Sequence, residues 1–261
     1  MITIKDVIFY FCCKYVGNWD KVYKAFKDKE EFKEEFFAEY KEKYDFNSFI
    51  SMADDEYPVS LKEATRPPFG LFFKGDISLL KTPLKNMISV IGSRKCTPYG
   101  ENTTKDIISK LDEERVIISG LAKGIDVVAH TAALDSGLAT IAVLGSGINN
   151  CYPRAHQPVY NKILANGGLI LSEYPGDTEP LPEYFIHRNR IVASLCTFLL
   201  VSESYGKTGT YSTVCFALGS GKDVGCVPYE ANLNSNCNKM IKEGAYLIES
   251  ASDIINVIEN K

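Results

Sequence analysis

Between Asn86 and Gly147 the chain runs apolar three times, at Met87 to Ile91, Val116 to Ile118 and Thr140 to Leu144, and each run breaks into a glycine-bearing turn. The turns are Gly92-Ser93-Arg94, Ser119-Gly120-Leu121-Ala122-Lys123-Gly124 and Gly145-Ser146-Gly147. A strand covered on both faces of a parallel sheet has no polar side, so short unbroken apolar runs are what such a sheet requires. A glycine just beyond the strand lets backbone N–H groups approach an anion that a Cβ would hold off. Two helical patterns fill the gaps. Tyr99 to Glu114 carries Ile107, Ile108 and Leu111 on one face, and Asp126 to Leu134 carries Val127, Val128, Ala129, Ala132 and Ala133. Strand, turn, helix, strand, repeated, is the pattern of right-handed βαβ units, which place their ligand at the carboxyl ends of the strands.

The same rhythm continues downstream. Strands are expected at Leu169 to Ser172, Phe198 to Val201, Val224 to Val227 and Tyr246 to Ile248, and helices at Val159 to Ala165, Ile191 to Ser194, Thr210 to Leu218, Asn236 to Glu243 and Ala251 to Ile258. With the opening three this makes seven strands, and the expected fold class is α/β: a Rossmann-like, doubly wound, mostly parallel sheet over residues 86–261. Residues 1–56 read differently, as a small all-α N-terminal module. Val7, Ile8, Phe11 and Tyr15 share one helical face, Val22, Tyr23 and Phe26 a second, and Phe32, Phe36, Phe37 and Tyr40 a third. Stripes at that spacing form a core sooner than a ligand box, and the charged run Lys29 to Glu42 reads as a solvated helix face. Residues 57–85, with Pro58, Pro67 and Pro68, read as a linker ending in one short strand, Gly70 to Lys74.

Charge and cysteine usage narrow the function classes. The chain of 261 residues is 45% hydrophobic with a net charge of −4. Its first 60 residues hold 9 basic and 13 acidic side chains, so the remainder is neutral and free to concentrate cations in one groove. No apolar run approaches the roughly 20 residues of a membrane helix, and the first residues lack a signal-peptide pattern. The eight cysteines form no CxxC pair, and several sit in apolar runs, which suits reduced thiols in a cytoplasmic protein.

Several motifs fall short of the chemistry they imitate. Gly145 to Asn150 resembles GxGxxG but has Asn150 where helix packing needs the third glycine, and Gly206-Lys207-Thr208 resembles the end of a Walker A loop with Val201 in place of its first glycine. His130, His156 and His187 have no metal-ligand spacing, so neither metal nor cofactor is expected. One segment is harder to read as scaffold. Phe185-Ile186-His187-Arg188-Asn189-Arg190 follows a proline-rich loop at a helix entrance, where arginines can hold phosphates while Phe185 stacks on a base. The alternative for Arg188 or Arg190 is a structural pair with Glu173 or Glu203.

Taken together, Ile91-Gly92-Ser93-Arg94, Ser119 to Asp126, Ala129-His130, Ala142 to Gly147, Tyr152-Pro153, Ser172 to Pro175, Phe185 with Arg188-Asn189-Arg190, Lys207-Thr208-Gly209-Thr210 and Gly244-Ala245 resemble the DNA-processing protein A (DprA/Smf) family over about residues 57 to 258. That resemblance implies an extended Rossmann fold that binds and protects single-stranded DNA, dimerises, and loads the RecA recombinase during natural transformation. The chain departs from the family's usual pattern at Val227-Pro228-Tyr229-Glu230, at Thr208-Gly209-Thr210 with Lys207 before it, and in lacking the C-terminal winged helix that many members carry.

The resulting expectation is a non-enzymatic single-stranded DNA-binding protein. Arg94, Arg188, Arg190 and Lys207 supply cations. Gly92, Ser93, Ser119, Gly120, Gly124, Gly145, Gly147, Thr208, Gly209 and Thr210 supply turn and hydroxyl donors, Asn189 adds an amide, and Phe185 stacks. Two other readings share the fold. A phosphoribohydrolase of the Lonely Guy type needs glutamates after the glycine-threonine turn, where this chain has Tyr211, Ser212 and Thr213. A nucleotide-ligand sensor needs only the phosphate pocket.

Overall fold

The computed structural model describes residues 2–206 and 209–260. Three helices come first, α1 (Ile4–Lys14), α2 (Trp19–Lys27) and α3 (Glu34–Lys43), then strand β1 (Phe49–Ser51), the short helix α4 (Val59–Lys62) and strand β2 (Gly70–Gly75). The α/β part runs β3 (Met87–Gly92), α5 (Pro98–Ser109), β4 (Val116–Ser119), α6 (Ile125–Asp135), β5 (Ala139–Val143), α7 (Gln157–Ala165) and β6 (Leu169–Ser172). It continues through α8 (Pro182–Ser194), β7 (Phe198–Glu203), α9 (Thr210–Gly219), β8 (Asp223–Cys226), α10 (Asn236–Lys242), β9 (Tyr246–Leu247) and α11 (Ala251–Glu259).

All seven expected strands are present and mutually parallel, in the order β6-β5-β4-β3-β7-β8-β9. From β3 the chain steps outward through β4, β5 and β6, then returns beside β3 as β7 and steps outward the other way. That reversal is the topological switch point of a doubly wound sheet. Residues 57–85, expected as a linker with a short strand, place β2 antiparallel against β6, and β1 from the N-terminal segment pairs antiparallel with β2, Phe49 opposite Phe72. Among the described residues the sheet therefore has nine strands.

The burial of β3 explains its unbroken apolar sequence. Ile88 and Val90 pack with Ile107 and Ile108 of α5 and Ala129 of α6, while Met87 and Ile91 pack on the other face with Ile191 and Val192 of α8 and Val214 of α9. Each such fully buried side chain contributes about 1.5–3 kcal/mol. Helix α5 starts with Pro98 at its first position and the Thr97 hydroxyl accepting from Gly100 N–H. It ends at Ser109, short of the expected Glu114, yet Leu111 stays buried because the chain turns under the helix end. In the N-terminal helices the aromatic stripes are core in part: Ile8, Phe11 and Val22 are buried, whereas Tyr23 and Phe36 are exposed and Phe32, Phe37 and Tyr40 only half-buried. Phe9 packs edge-on to Phe46 and Phe49 at 5.0 and 5.2 Å, and Tyr10, Phe11, Val22 and Ala25 form a second cluster. No residue of α3 is buried.

Candidate nucleic-acid interface

A cleft of about 710 Å³ opens at the switch point, outside the carboxyl ends of β3 and β7. Gly92 and Arg94 line it after β3, Ala122 and Asp126 after β4, and Tyr152 after β5; Pro180, Pro182, Phe185, Ile186, Arg188 and Asn189 line it from α8 and its approach; Gly209, Thr210 and Thr213 line it at the start of α9.

The turn after β3 is pinned at both ends. Ser93 N–H donates to Glu203 O at 2.8 Å, and Ser93 O accepts from Ile125 N–H at 3.1 Å. The second contact passes Gly124, whose φ of 76° and ψ of −129° suit glycine alone, and a Cβ there would collide with Ser93 O. Glu203, fully buried, accepts from Thr97 N–H at 2.9 Å, from the Thr97 hydroxyl at 2.6 Å and from the Tyr229 hydroxyl at 3.2 Å, which fastens the next turn to β7. Held this way, Arg94 stands exposed on the cleft wall with its guanidinium carbon 5.6 Å from the Phe185 ring centroid.

Phe185 to Arg190 lie inside α8, which begins at Pro182, and not at a helix entrance. Helical spacing turns Phe185, Arg188 and Asn189 to the strand ends and Arg190 away from them. Phe185 is half-buried on Gly145, where a Cβ would stand 2.7 Å from its ring. Arg188 is buried over Gly120 and donates to the carbonyls of Gly120, at 2.5 Å, and of Val143. Two of the glycines expected to face an anion thus make room for side chains of the protein itself. Ser119 donates its hydroxyl to Val90 O at 2.6 Å, and Gly147 N–H donates to Thr178 O at 2.8 Å, so these donors are used within the protein, and Ser119, Gly120, Gly124, Gly145 and Gly147 do not line the cleft. Asn189 reaches the Ser212 hydroxyl at 3.3 Å and Gly209 O at 3.4 Å, tying α8 to the start of α9.

Arg190 lies apart from these residues. It is 3% exposed, donates to both oxygens of Glu173 at 2.6 Å and gives its Nε–H to Arg66 O at 2.7 Å. The structural pair with Glu173 is therefore what the fold contains, because position 190 faces the opposite side of the helix from position 188. Lys207 and Thr208 lie outside the described residues.

The electrostatics separate the mouth of the cleft from its base. Asp126, in the first turn of α6, is buried; burial pushes its carboxyl up, opposed by Arg188 and by the Ala122 amide, which donates to it at 3.4 Å. Burial pulls the Arg188 guanidinium down, and Asp126 opposes that. The positive end of α6 is thus met by the protein's own carboxylate. Among the described residues, helix α9 has Gly209 at its N-cap position with no side-chain cap and no acid in its first turn, an end whose positive dipole suits an anion.

The surface of the cleft brings together Gly92, Arg94, Phe185, Arg188, Asn189, Gly209 and Thr210 of the expected residues. Sequence reasoning passed over Tyr152, Asp126, Thr213 and Ile186 as site residues. Tyr152, Asp126 and Ile186 stood within segments already quoted, and Thr213 lies one helical turn beyond Thr210, so a signal existed for all four. Among the described residues no cluster has a metal-ligand geometry and no helix is long and apolar enough to cross a membrane.

Comparison with known proteins agrees with this architecture. Residues 48–259 match the DNA recombination-mediator protein A family. The chain is 41% identical to the DNA processing protein DprA of Streptococcus pneumoniae over 84% of its length and 77% of that protein's, and 36% identical to protein Smf of Escherichia coli over 82% of its length and 57% of that protein's. Its fold superimposes on the crystal structure of the S. pneumoniae DprA with a TM-score of 0.76, covering 96% of this chain and 92% of that one at 33% identity. A DprA structure from Helicobacter pylori, described for its single-stranded DNA-binding mode, gives a TM-score of 0.72 over 81% of this chain and 96% of that one, at 30% identity. With its switch-point cleft and a match across four-fifths of its length, the chain belongs to the DNA recombination-mediator protein A family, a family of DNA-processing proteins and not of phosphoribohydrolases.

Proposed function

We propose that the switch-point cleft binds single-stranded DNA, with Arg94 gripping a phosphate, the start of α9 at Gly209 and Thr210 receiving a second anion, and Phe185 stacking on a base. The observation that carries this reading is the placement of an exposed guanidinium over an aromatic ring in the switch-point cleft. A duplex offers phosphates but no free base faces, so a cleft that pairs a cation with a ring favours an unpaired strand. The H. pylori relative's described binding of single-stranded DNA supports the same assignment. Anisotropy titrations with labelled oligothymidine and with duplex, repeated across salt, test it: single-strand preference with a negative log-log salt slope is expected, and equal, salt-insensitive binding to both would refute it. A tightly bound mononucleotide detected by native mass spectrometry would favour the nucleotide-sensor reading instead.

We propose a wider assignment, which the family membership supports. The protein protects incoming strands and loads the RecA recombinase in natural transformation, acts in the cytoplasm, and places its DNA-binding unit in residues 86–261 behind the helical module of 1–56 and the linker of 57–85. Recombinase filament assembly on strands precoated with single-strand-binding protein, with and without this chain, tests the loading. It acts as a homodimer, for which the exposed Tyr211 and Leu218 of α9 and Tyr246 and Leu247 of the edge strand β9 supply an apolar face, and sedimentation of a Leu218→Glu variant tests the pairing.

A further inference from the structure

Two thiols meet beneath α10, away from the cleft. Cys226 ends β8, opposite Val201 of β7, and Cys237 lies in the first turn of α10 with its Sγ 3.7 Å from Val201 O. Both are fully buried in one apolar cluster, where the Cys226 thiol hydrogen-bonds to the Cys237 sulfur. That contact, with burial, pushes Cys226 up, and the same contact pulls Cys237 down against burial, so Cys237 is the sulfur that ionises first. The residues beside Cys237 hold the turn that precedes α9. Asn236 gives its backbone N–H to Ser204 O at 2.8 Å, and its side-chain amide to Gly206 O at 2.7 Å and to the Ser204 hydroxyl at 3.2 Å. Gly209, the N-cap of α9, follows three residues after Gly206. A cavity of about 600 Å³ lined by Gly206, Asn236 and Met240 brings a small oxidant to this end of α10.

We propose that Cys226 and Cys237 are a redox pair, closed to a disulfide by hydrogen peroxide, and that closing it loosens the turn of residues 204–206 in front of α9. The consequence for DNA rests on the single-strand reading of the cleft; the disulfide does not. The Cys237 thiolate attacks one peroxide oxygen, the O–O bond breaks, and the other oxygen leaves as hydroxide, which a proton converts to water. The Cys226 sulfur then attacks the sulfenic sulfur of Cys237. The S–S bond forms, the S–O bond breaks, and the departing hydroxide takes the Cys226 proton as a second water. Two thiols are oxidised and one peroxide is reduced, and a dithiol reverses the bond by exchange. A disulfide of about 2.05 Å is shorter than any contact between two thiols, so it draws the first turn of α10 toward β8 and shifts Asn236 against the turn it holds.

The test treats the parent with hydrogen peroxide, digests it with trypsin without reductant and weighs the peptides; residues 223–239 form one peptide that holds both cysteines and no other. A loss of two hydrogens from that peptide, reversed by dithiothreitol, is expected, and this readout depends on no variant folding. Amide exchange over residues 204–206 and 236–238 should quicken in the oxidised parent. Its affinity for oligothymidine should fall by roughly 2- to 12-fold, the worth of one hydrogen bond, and recover on reduction, while Cys226→Ser keeps its affinity through the treatment. The pair is overturned if the peptide keeps both thiols under peroxide that oxidises the exposed Cys215, or gains oxygen in place of losing hydrogen. The switch is overturned if the disulfide forms with exchange and affinity unchanged, or if Cys226→Ser loses as much affinity as the parent. A reduced parent that binds no strand removes the single-strand reading, and the mass and exchange measurements then decide the pair without it.

Discussion

Arg94 and Arg190 belong to motifs of equal apparent promise, yet the fold treats them as opposites. Arg94 is exposed at the cleft mouth, where its guanidinium touches a ring and solvent. Arg190 is buried on the far side of α8, with Glu173 on two of its nitrogens and Arg66 O on the third. One is available to a phosphate, and the other orients the helix that carries Phe185. The difference shows that the charge a cleft offers is set by which helix face a residue occupies, not by how many arginines a motif contains.

Arg190→Ala gives the largest effect expected. It strands the Glu173 carboxylate in the interior, which costs about 3–5 kcal/mol of stability. Urea denaturation measures the loss, and a variant as stable as the parent would erase the distinction between the two arginines. Binding measured well below the transition should retain the parent's salt slope, since no phosphate contact is removed.

Arg94→Ala reverses that profile. The melting temperature stays that of the parent, while affinity for single strands falls by about 1.5–3 kcal/mol and the log-log salt slope drops by about 0.7. Phe185→Ala in the same titrations should lose about 1–3 kcal/mol with the slope unchanged, because a stacked ring releases no counterions. A large fall in the Phe185→Ala melting temperature, with full affinity on cooling, would instead move Phe185 to the buried side of the comparison.

The buried side of α6 should also make stability sensitive to acid. His130 is fully buried, with Nδ1 2.7 Å from the Thr140 hydroxyl, and burial, then Arg188, push its pKa down to about 3. In the unfolded chain a histidine titrates near 6.5, so unfolding takes up a proton between those two values. The associated stability is fully present above about 6.5 and is lost as the pH falls toward 3, amounting to about 2 kcal/mol between pH 7 and pH 5. Denaturation at both pH values measures it, and His130→Gln should flatten the dependence. At the other extreme, the exposed pair of Lys105 and Glu101 on α5, 2.6 Å apart, should be worth only about 0.3–0.5 kcal/mol. A Lys105→Ala loss approaching that of Arg190→Ala would show that burial is not what separates the pairs.

The parallel strands were legible because burial on both faces leaves an unbroken apolar run, as in Met87 to Ile91, which no other role demands. Arg94 was legible for a local reason: it follows a strand and a glycine. The roles of Gly120 and Gly145 were not, since a missing Cβ looks the same in sequence whether the space above it admits a ligand or the protein's own Arg188 and Phe185. Arg190 was undecidable between two partners because Glu173 stands on another element, and only the phase of α8 fixes which arginine meets it. Strand β1 escaped notice because three residues carry no period, and its pairing with β2 is set by Phe49 meeting Phe72 across the sheet edge.

The adjacency of β3 and β7 also governs when the cleft can exist. Ile88 pairs with Phe198 and Val90 with Leu200, so the central seam of the sheet joins segments more than a hundred residues apart. Contacts so distant along the chain form slowly, and during synthesis β3 leaves the ribosome long before its partner. Until Phe198 to Glu203 arrive, β3 has β4 on one side and an unpaired apolar edge on the other, and the Ser93 turn lacks the Glu203 carbonyl that pins it. The nascent chain therefore carries an aggregation-prone edge and no switch-point cleft; docking of β7 ends the first condition, and the second ends only when α9 follows with Gly209, Thr210 and Thr213.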